Sequence, residues 1–424
     1  MTTSAALPPA IRKAVLWALL VGLAIMAARH AAVGYLANTA PAVALRLDGG
    51  DPVVLLTDME QQLLMSRGAD LSPAELRDRG RQILGGAPLS VGGLRLMGIA
   101  AAAQGNARDA LKLMHLATRV SRRDLGTNAW MIEERVSAGD VAGALDRYDL
   151  ALSTDQRAPA VLFPVLTAAL GEPQIATAFM PWIGRERPWM PSFLEYAIAN
   201  GEAPAALADL ILKRGGLPRA AAYRPLDTLL LRRLEVARQY STAYRYALSL
   251  PGVRPSVMTD PGFTRDTLDS RLAPLTWQLS NPSDTRAQQD DDGRVAVFAQ
   301  PNANGVAAIR FLFLKPGTYR FHYTVEPVPN LDPVSLSWEM RCAPRHEDLA
   351  WRQEVPASDE ARKLTSSIAI PARCPVQQMS LVATGRDSQS EGGVRVGPLV
   401  LDTVSIAAGM RDRTVELAAA ASSR

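Results

Sequence analysis

The stretch QGNARDALKLMHLA, residues 104–117, is answered 34 residues later by AGDVAGALDRYDLA, residues 138–151. Gly105 aligns with Gly139, Ala110 with Ala144, Leu111 with Leu145, Met114 with Tyr148 and Ala117 with Ala151. Gly followed by Asn106 or Asp140 suits a tight turn between paired helices: Gly reaches backbone conformations closed to other residues, and the short polar side chain caps the next helix. Ala, a large residue four on and Ala three further share one helical face. The small residues let helices approach, and the large one fills the gap left between them. Gly98, twelve before Ala110, falls at a second small position, on the preceding helix. Its counterpart in the next copy, Ile132, departs from that pattern.

Outward from this pair, residues 50–255 read as helical. Apolar residues recur at three and four, and Pro and Gly cut the region into short helices. Fainter copies begin at Gly171-Glu172, leading to Ala176, Met180 and Ile183, and at Gly201-Glu202, leading to Ala206 and Leu210 before Lys213 interrupts them. The period of 34 is that of the tetratricopeptide repeat, whose stacked helical hairpins form a groove for protein partners. An unrelated helical bundle is the alternative. Arg95, Asn128 and Arg135 are candidates to line such a groove, although each reads more plainly as a solvated helix residue. PWIGRERPWMPSF, residues 181–193, reads as a loop between hairpins with Trp182 and Trp189 as structural wedges.

The periodicity changes after PGVRPSVMTDPGF, residues 251–263, a linker by composition. In TYRFHYTV, Tyr319, Phe321, Tyr323 and Val325 alternate with Thr318, Arg320, His322 and Thr324; in SLSWEMRC, Leu336, Trp338, Met340 and Cys342 alternate with Ser335, Ser337, Glu339 and Arg341. Both patterns predict antiparallel strands with one buried face. Lys315-Pro316-Gly317 is the turn into the first. Further strands are expected near 275–279, 294–299, 306–314, 363–370, 377–384 and 393–406. Eight or so strands within 272–408 indicate a β-sandwich of the jelly-roll type. Residues 409–424 read as a flexible tail.

At the other end, AVLWALLVGLAIMAA, residues 14–28, carries no charge, and Arg12 and Lys13 precede it. Counted to Leu36, such a helix is about 34 Å long, enough for a hydrocarbon core of about 30 Å. Trp17 and Tyr35 then stand at the two interfaces, and Arg29 snorkels to the headgroups. The reading adopted is an uncleaved transmembrane helix over 14–36, with residues 1–13 cytoplasmic and the bulk of the chain periplasmic. A cleaved signal peptide is the main alternative and also implies export; a core helix of a soluble protein is the other. Cys342 and Cys374 are the only cysteines. In an oxidising space they are expected to form a disulfide, closing a loop of about 33 residues and contributing about 3–4 kcal/mol.

Net charge is +4 with no basic run longer than a pair, so no nucleic-acid footprint is present. The four histidines, His30, His115, His322 and His346, are dispersed. His115 reads as partly buried scaffold and His322 as lying on a strand's polar face. Catalytic and metal sites are therefore expected to be none, and no cofactor is implied. QDDDGRV, residues 289–295, has oxygens for calcium but lacks the alternating ligand spacing, and reads as a solvated hairpin tip. Sugar binding needs an exposed aromatic platform beside polar groups. Trp277, Trp338, Trp351 and Tyr319 are the candidates; Trp338 and Tyr319 fall on core-facing rows, which leaves Trp351, in HEDLAWRQE, as the best exposed contact.

SRRDLGTNAWMIEERVSAGDVAGALDRYDLAL (121–152), LFPVLTAAL (162–170), LKPGTYRFHYTV (314–325) and LSWEMRC (336–342) carry a resemblance. Over most of its length the chain resembles tetratricopeptide-type, single-span bacterial inner-membrane proteins that end in a carbohydrate-binding-like β-sandwich. The resemblance implies an exopolysaccharide-associated role and no catalytic residues. The expected function is a non-enzymatic, membrane-anchored scaffold or adaptor that holds a protein partner on its repeats, in exopolysaccharide assembly or export. A lectin-like protein with the repeats as a spacer is the alternative.

Overall fold

A computed structural model describes residues 9–65, 71–290, 293–343, 345 and 348–404. Most of the expected cytoplasmic segment 1–13 and all of the tail 409–424 lie outside the described residues. The chain divides into two compact units, Met1–Leu162 and Phe163–Arg424.

The first unit is helical: α1 (Pro9–Thr39), α2 (Pro41–Leu47), α3 (Pro52–Met65), α4 (Pro73–Gly86), α5 (Val91–Ala103), α6 (Ala107–Val120), α7 (Leu125–Ser137), α8 (Val141–Thr154) and the start of α9 (Ala158–Ala169). Within α1, Leu19–Ala37 has a mean hydropathy of 1.6 and is long and apolar enough to cross a membrane. Its last turns are claimed by the fold, because Val33 and Ala37 are buried with Ala44 and Val54. Arg29, expected to snorkel, pairs with Asp48 at 3.2 Å.

The α5–α6 and α7–α8 hairpins turn on Gly105 (φ +78°) and Gly139 (φ +75°), left-handed positions where a side chain is strained. Asn106 accepts from the Asp109 amide at 3.2 Å and Asp140 from the Gly143 amide at 2.9 Å, so the two caps are equivalent. Ala110, Met114 and Ala117, and in the next copy Ala144, Tyr148 and Ala151, are buried. A Cβ on Gly98 would stand 2.9 Å from Met114 Cε, so the absent side chain makes room for the large one.

The second unit continues with α10 (Pro173–Phe179), α11 (Met190–Asn200), α12 (Pro204–Arg214), α13 (Arg224–Val236) and α14 (Tyr240–Ser249). Residues 181–193 are not loop throughout: Met180–Gly184 is a 3-10 turn and α11 starts at Met190, with Trp182 and Trp189 both buried.

The strands then follow: β1 (Gln278–Leu279), β2 (Thr285–Gln289), β3 (Val295–Ala299), β4 (Asn304–Leu312), β5 (Gly317–Pro327), β6 (Ser335–Cys342), β7 (Ala350–Val355), β8 (Arg362–Ile370), β9 (Gln377–Thr384), β10 (Gly392–Val396) and β11 (Val400–Thr403). One sheet runs β1-β4-β9-β6-β7. In the other, β2-β3-β10 leads to β5; β11 pairs the same strand at Tyr319–His322, and β8 pairs it over Gly317–Val325. All these ladders are antiparallel, and the two inner faces enclose an aromatic core of Trp277, Trp338, Phe321, Tyr323 and Phe263. Strands β2 and β7 were not foreseen: TRAQQ and AWRQEV are short and carry too few apolar residues for a clear alternation.

The segment before the sandwich is packed against it. Arg310 lies on β4, fully buried, and donates to the carbonyls of Asp260 (2.6 Å) and Val257 (2.8 Å). Val257, Met258 and Phe263 are themselves buried, so the expected linker is a structural layer. Tyr240 of α14 meets Phe311 with ring centroids 5.4 Å apart, and Tyr244 meets Phe313 at 4.7 Å. These aromatic contacts join the last helix to the outer side of β4.

Candidate functional site

The candidate site is at the lateral edge of the sandwich, where β7 ends one sheet and β8 ends the other. Register builds it. Trp338 on β6 stands opposite Gln353 on β7, and Met340 opposite Trp351, so Gln353 and Trp351 share the inward row of Trp338. On the other sheet Phe321 stands opposite Ser366, Tyr323 opposite Leu364, and Val325 opposite Arg362. Across the sandwich, Phe321 approaches both Trp338 (centroids 5.4 Å) and Trp351 (6.0 Å), which brings these strands to the same side.

The inward rows of β7 and β8 are therefore half-buried and mixed. Trp351 and Leu364 pack on the core, whereas Gln353, Ser366 and Arg362 bring polar groups to it. Five polar atoms here are buried without a hydrogen-bond partner: Tyr323 Oη, Trp338 Nε1, Gln353 Oε1, Ser366 Oγ and Arg362 Nε. Polar groups left this way cost about 1–3 kcal/mol each, so a cluster of them is unusual in a sandwich core. Burial holds the Tyr323 phenol well above its ordinary range despite the opposing charge of Arg362, so the hydroxyl stays protonated. Arg362 also reaches the Pro356 carbonyl. Together these atoms offer donors from indole, guanidinium and hydroxyl groups and acceptors from amide and hydroxyl groups, beside an indole ring. The neighbouring carboxylates Glu354 and Glu339 are on the outward row, and the inward rows carry no carboxylate for acid–base chemistry.

The other predicted residues are distributed elsewhere. Trp351 is half-buried and edge-on to Phe321, less exposed than expected. Trp277 is buried and its indole donates to the Pro261 carbonyl at 2.8 Å, which removes it as a platform. Trp338 and Tyr319 are buried, as their rows indicated. His322, on the outward face, meets Asp402 at 2.7 Å. His115 is exposed, contrary to expectation: it lies on the α6 face turned away from Met114 and Ala117. His346, and Asp291 and Asp292 of the 289–295 stretch, lie outside the described residues. Among the described residues no three His, Cys, Asp or Glu gather as a metal set. Cys342 and Cys374 form a disulfide with Cα atoms 5.4 Å apart.

In the helices, Arg95 and Asn128 are buried, which corrects the expectation of solvated groove residues. The Arg95 guanidinium is shared between Glu60 of α3 and Asp124, the N-cap of α7. Gly126 gives it space, since a Cβ there would lie 2.8 Å from Arg95 Nη1. Asn128 donates to the Arg122 carbonyl at 3.0 Å. Arg135 is half-exposed and tied to Asp140.

Gln353, Ser366 and Arg362 were not singled out from sequence, and Tyr323 was read only as part of a buried strand face. One signal was present: in RKLTSSIAI, Arg362 and Ser366 occupy the same alternate row as Leu364, Ile368 and Ile370. Polar residues on an apolar row mark a place where the core opens to solvent or to a ligand.

The C-terminal β-sandwich resembles carbohydrate-binding modules of solved structure. The chain is similar to TmCBM61, solved in complex with β-1,4-galactotriose, at 11% identity over 34% of this chain and 100% of that one, with a TM-score of 0.25. It is also similar to the N-terminal cellulose-binding domain of Cellulomonas fimi β-1,4-glucanase C, at 17% identity over 31% of this chain and 98% of that one, with a TM-score of 0.19. The enzymatically active domain of bacteriophage CBA120 tailspike protein 4 aligns at 8% identity over 31% of this chain and 20% of its own length, with a TM-score of 0.23. No family model and no curated protein matches the chain.

Proposed function

We propose that the chain is an exported, membrane-tethered, non-enzymatic binding protein whose sandwich takes a glycan at the β7–β8 edge. One observation carries the reading: five buried polar atoms without partners surround the inward rows beside Trp351. A sugar ring meets such a set on both counts, with hydroxyls that donate and accept and a C–H face that stacks on indole. Export is supported by the disulfide and by the apolar stretch Leu19–Ala37 near the N-terminus.

The helical part is read as an adaptor of tetratricopeptide type that holds a protein partner, in exopolysaccharide assembly or export. The 34-residue spacing of two hairpins with equivalent caps and turn glycines supports it.

The test is titration of the full-length, detergent-solubilised protein with the producing cell's own polysaccharide. Trp351→Ala and the double variant Gln353→Ala/Ser366→Ala are expected to weaken binding at least tenfold with unfolding midpoints within a few degrees of wild type. Binding unchanged in both variants refutes the site, and no binding by the wild type refutes the glycan reading. An alkaline phosphatase fused to the C-terminus is expected to be active; an inactive fusion, with fully alkylatable thiols at Cys342 and Cys374, refutes export.

A further inference from the structure

The second unit contains a cleft that the glycan reading does not use. It has a volume of about 1290 Å³ and is enclosed by α11, the turn after α12, α13 and the segments around Leu250 and Arg271. Four arginines line it: Arg219, Arg224, Arg232 and Arg271. Arg271 is held by Asp269 at 2.6 Å. Arg219, Arg224 and Arg232 are exposed and form no ion pair or hydrogen bond with any described residue. Two carboxylates share the wall. Glu195 is exposed, whereas Asp227 is half-buried and accepts from the Tyr246 hydroxyl at 2.7 Å. Burial raises the Asp227 carboxyl above its ordinary range, against the lowering effect of the Tyr246 hydrogen bond and the Arg271 charge.

The rest of the lining is mostly aliphatic and proline-rich, with hydroxyls from Ser192, Thr228, Ser249 and Ser270, and contains no Trp, Tyr or Phe. A sugar or base would find no ring to stack on. Carboxylates would find three unengaged guanidinium forks, and aliphatic side chains would find Leu217 and Leu229 in the same lining. The prolines of the lining, Pro191, Pro218, Pro225 and Pro251, have a fixed φ and lose little backbone freedom when a ligand seats.

We infer that this arginine-lined cleft is a docking site for an acidic, aliphatic peptide segment of a partner protein. The inference rests on the adaptor reading and gives the partner a chemistry and a place.

The experiment uses the full-length protein in detergent and a fluorescein-labelled 15-residue peptide in which Glu and Leu recur in a Gly/Ser background. Anisotropy titration is expected to show saturable binding that weakens as salt rises, with no binding of the peptide carrying Lys for Glu. The double variant Arg224→Glu/Arg232→Glu is expected to bind at least tenfold more weakly at an unchanged unfolding midpoint. Arg224→Lys/Arg232→Lys is expected to retain an intermediate affinity, since charge is kept and the fork is lost. Equal binding by the Glu variant overturns the cleft and leaves an adaptor that docks elsewhere. No binding of the acidic peptide, or binding of oligogalacturonate in its place, overturns the peptide assignment. Neither result touches the Trp351 test, which is read with a different ligand.

Discussion

Arg95 in the helical hairpins and Arg310 in the sandwich are both buried, yet their charges are handled in opposite ways. Arg95 is matched by two carboxylates from two other elements, and their charges and hydrogen bonds outweigh desolvation, so its pKa is raised. Arg310 meets no carboxylate in hydrogen-bond range. It is satisfied by backbone carbonyls of Asp260, Val257 and Leu275, and burial pushes its pKa down to about 9. The difference follows from architecture. Successive hairpins expose side chains and caps to one another, so a charged cap such as Asp124 is available as a partner. The segment before the sandwich has irregular backbone, and its carbonyls need donors that no strand supplies. In one region an arginine sets the spacing of helices; in the other it replaces a missing ladder.

This contrast can be broken in order of effect. Arg310→Ala is expected to cost most, about 4 kcal/mol, because it leaves several buried carbonyls unpaired and opens a cavity beside Trp277. Urea unfolding followed by tryptophan fluorescence measures it; a loss below that of Arg95 variants would reverse the comparison. Replacing both Cys342 and Cys374 by Ser is expected to cost about 3 kcal/mol. That loss should fall on the sandwich and leave proteolytic protection of α5–α8 unchanged.

Arg95→Met is expected to cost less, about 2 kcal/mol, because Glu60 and Asp124 keep 44% and 21% of their side-chain exposure and water can reach them. A pH arm sharpens this. Burial raises the Asp124 pKa, but Arg95 and Thr127 outweigh it and the net shift is downward. Its stabilisation is therefore complete above the unfolded value near 3.8 and is lost as pH falls through the lower folded value. Asp124→Asn should flatten the acid dependence of helical circular dichroism below pH ~4, and an unchanged acid limb would remove Asp124 from this role. The smallest effect expected is for Gly139→Ala, about 1 kcal/mol, since only the turn's left-handed backbone is strained and nothing lies within 4 Å of the added carbon. A neutral result there would show that the turn relaxes.

Local chemistry is what the chain's order of residues decided by itself. Gly105, Asn106 and the Ala110-Met114-Ala117 row specify a turn, a cap and a packing face within one hairpin. The alternation through Tyr319–Val325 and Leu336–Cys342 specifies two half-buried strands, because side-chain direction follows backbone period. The position of the candidate site was less legible. Trp351 was visible as an aromatic outside the two clear apolar rows, but Gln353, Ser366 and Arg362 are ordinary polar residues until strand register turns them inward beside Tyr323 and Trp338. Arg95 likewise read as a solvated helix residue, and no feature of the sequence singled out Arg310. Which charges are buried, and against what, depends on elements tens of residues apart meeting in space, and periodicity along a single strand or helix holds no record of that meeting.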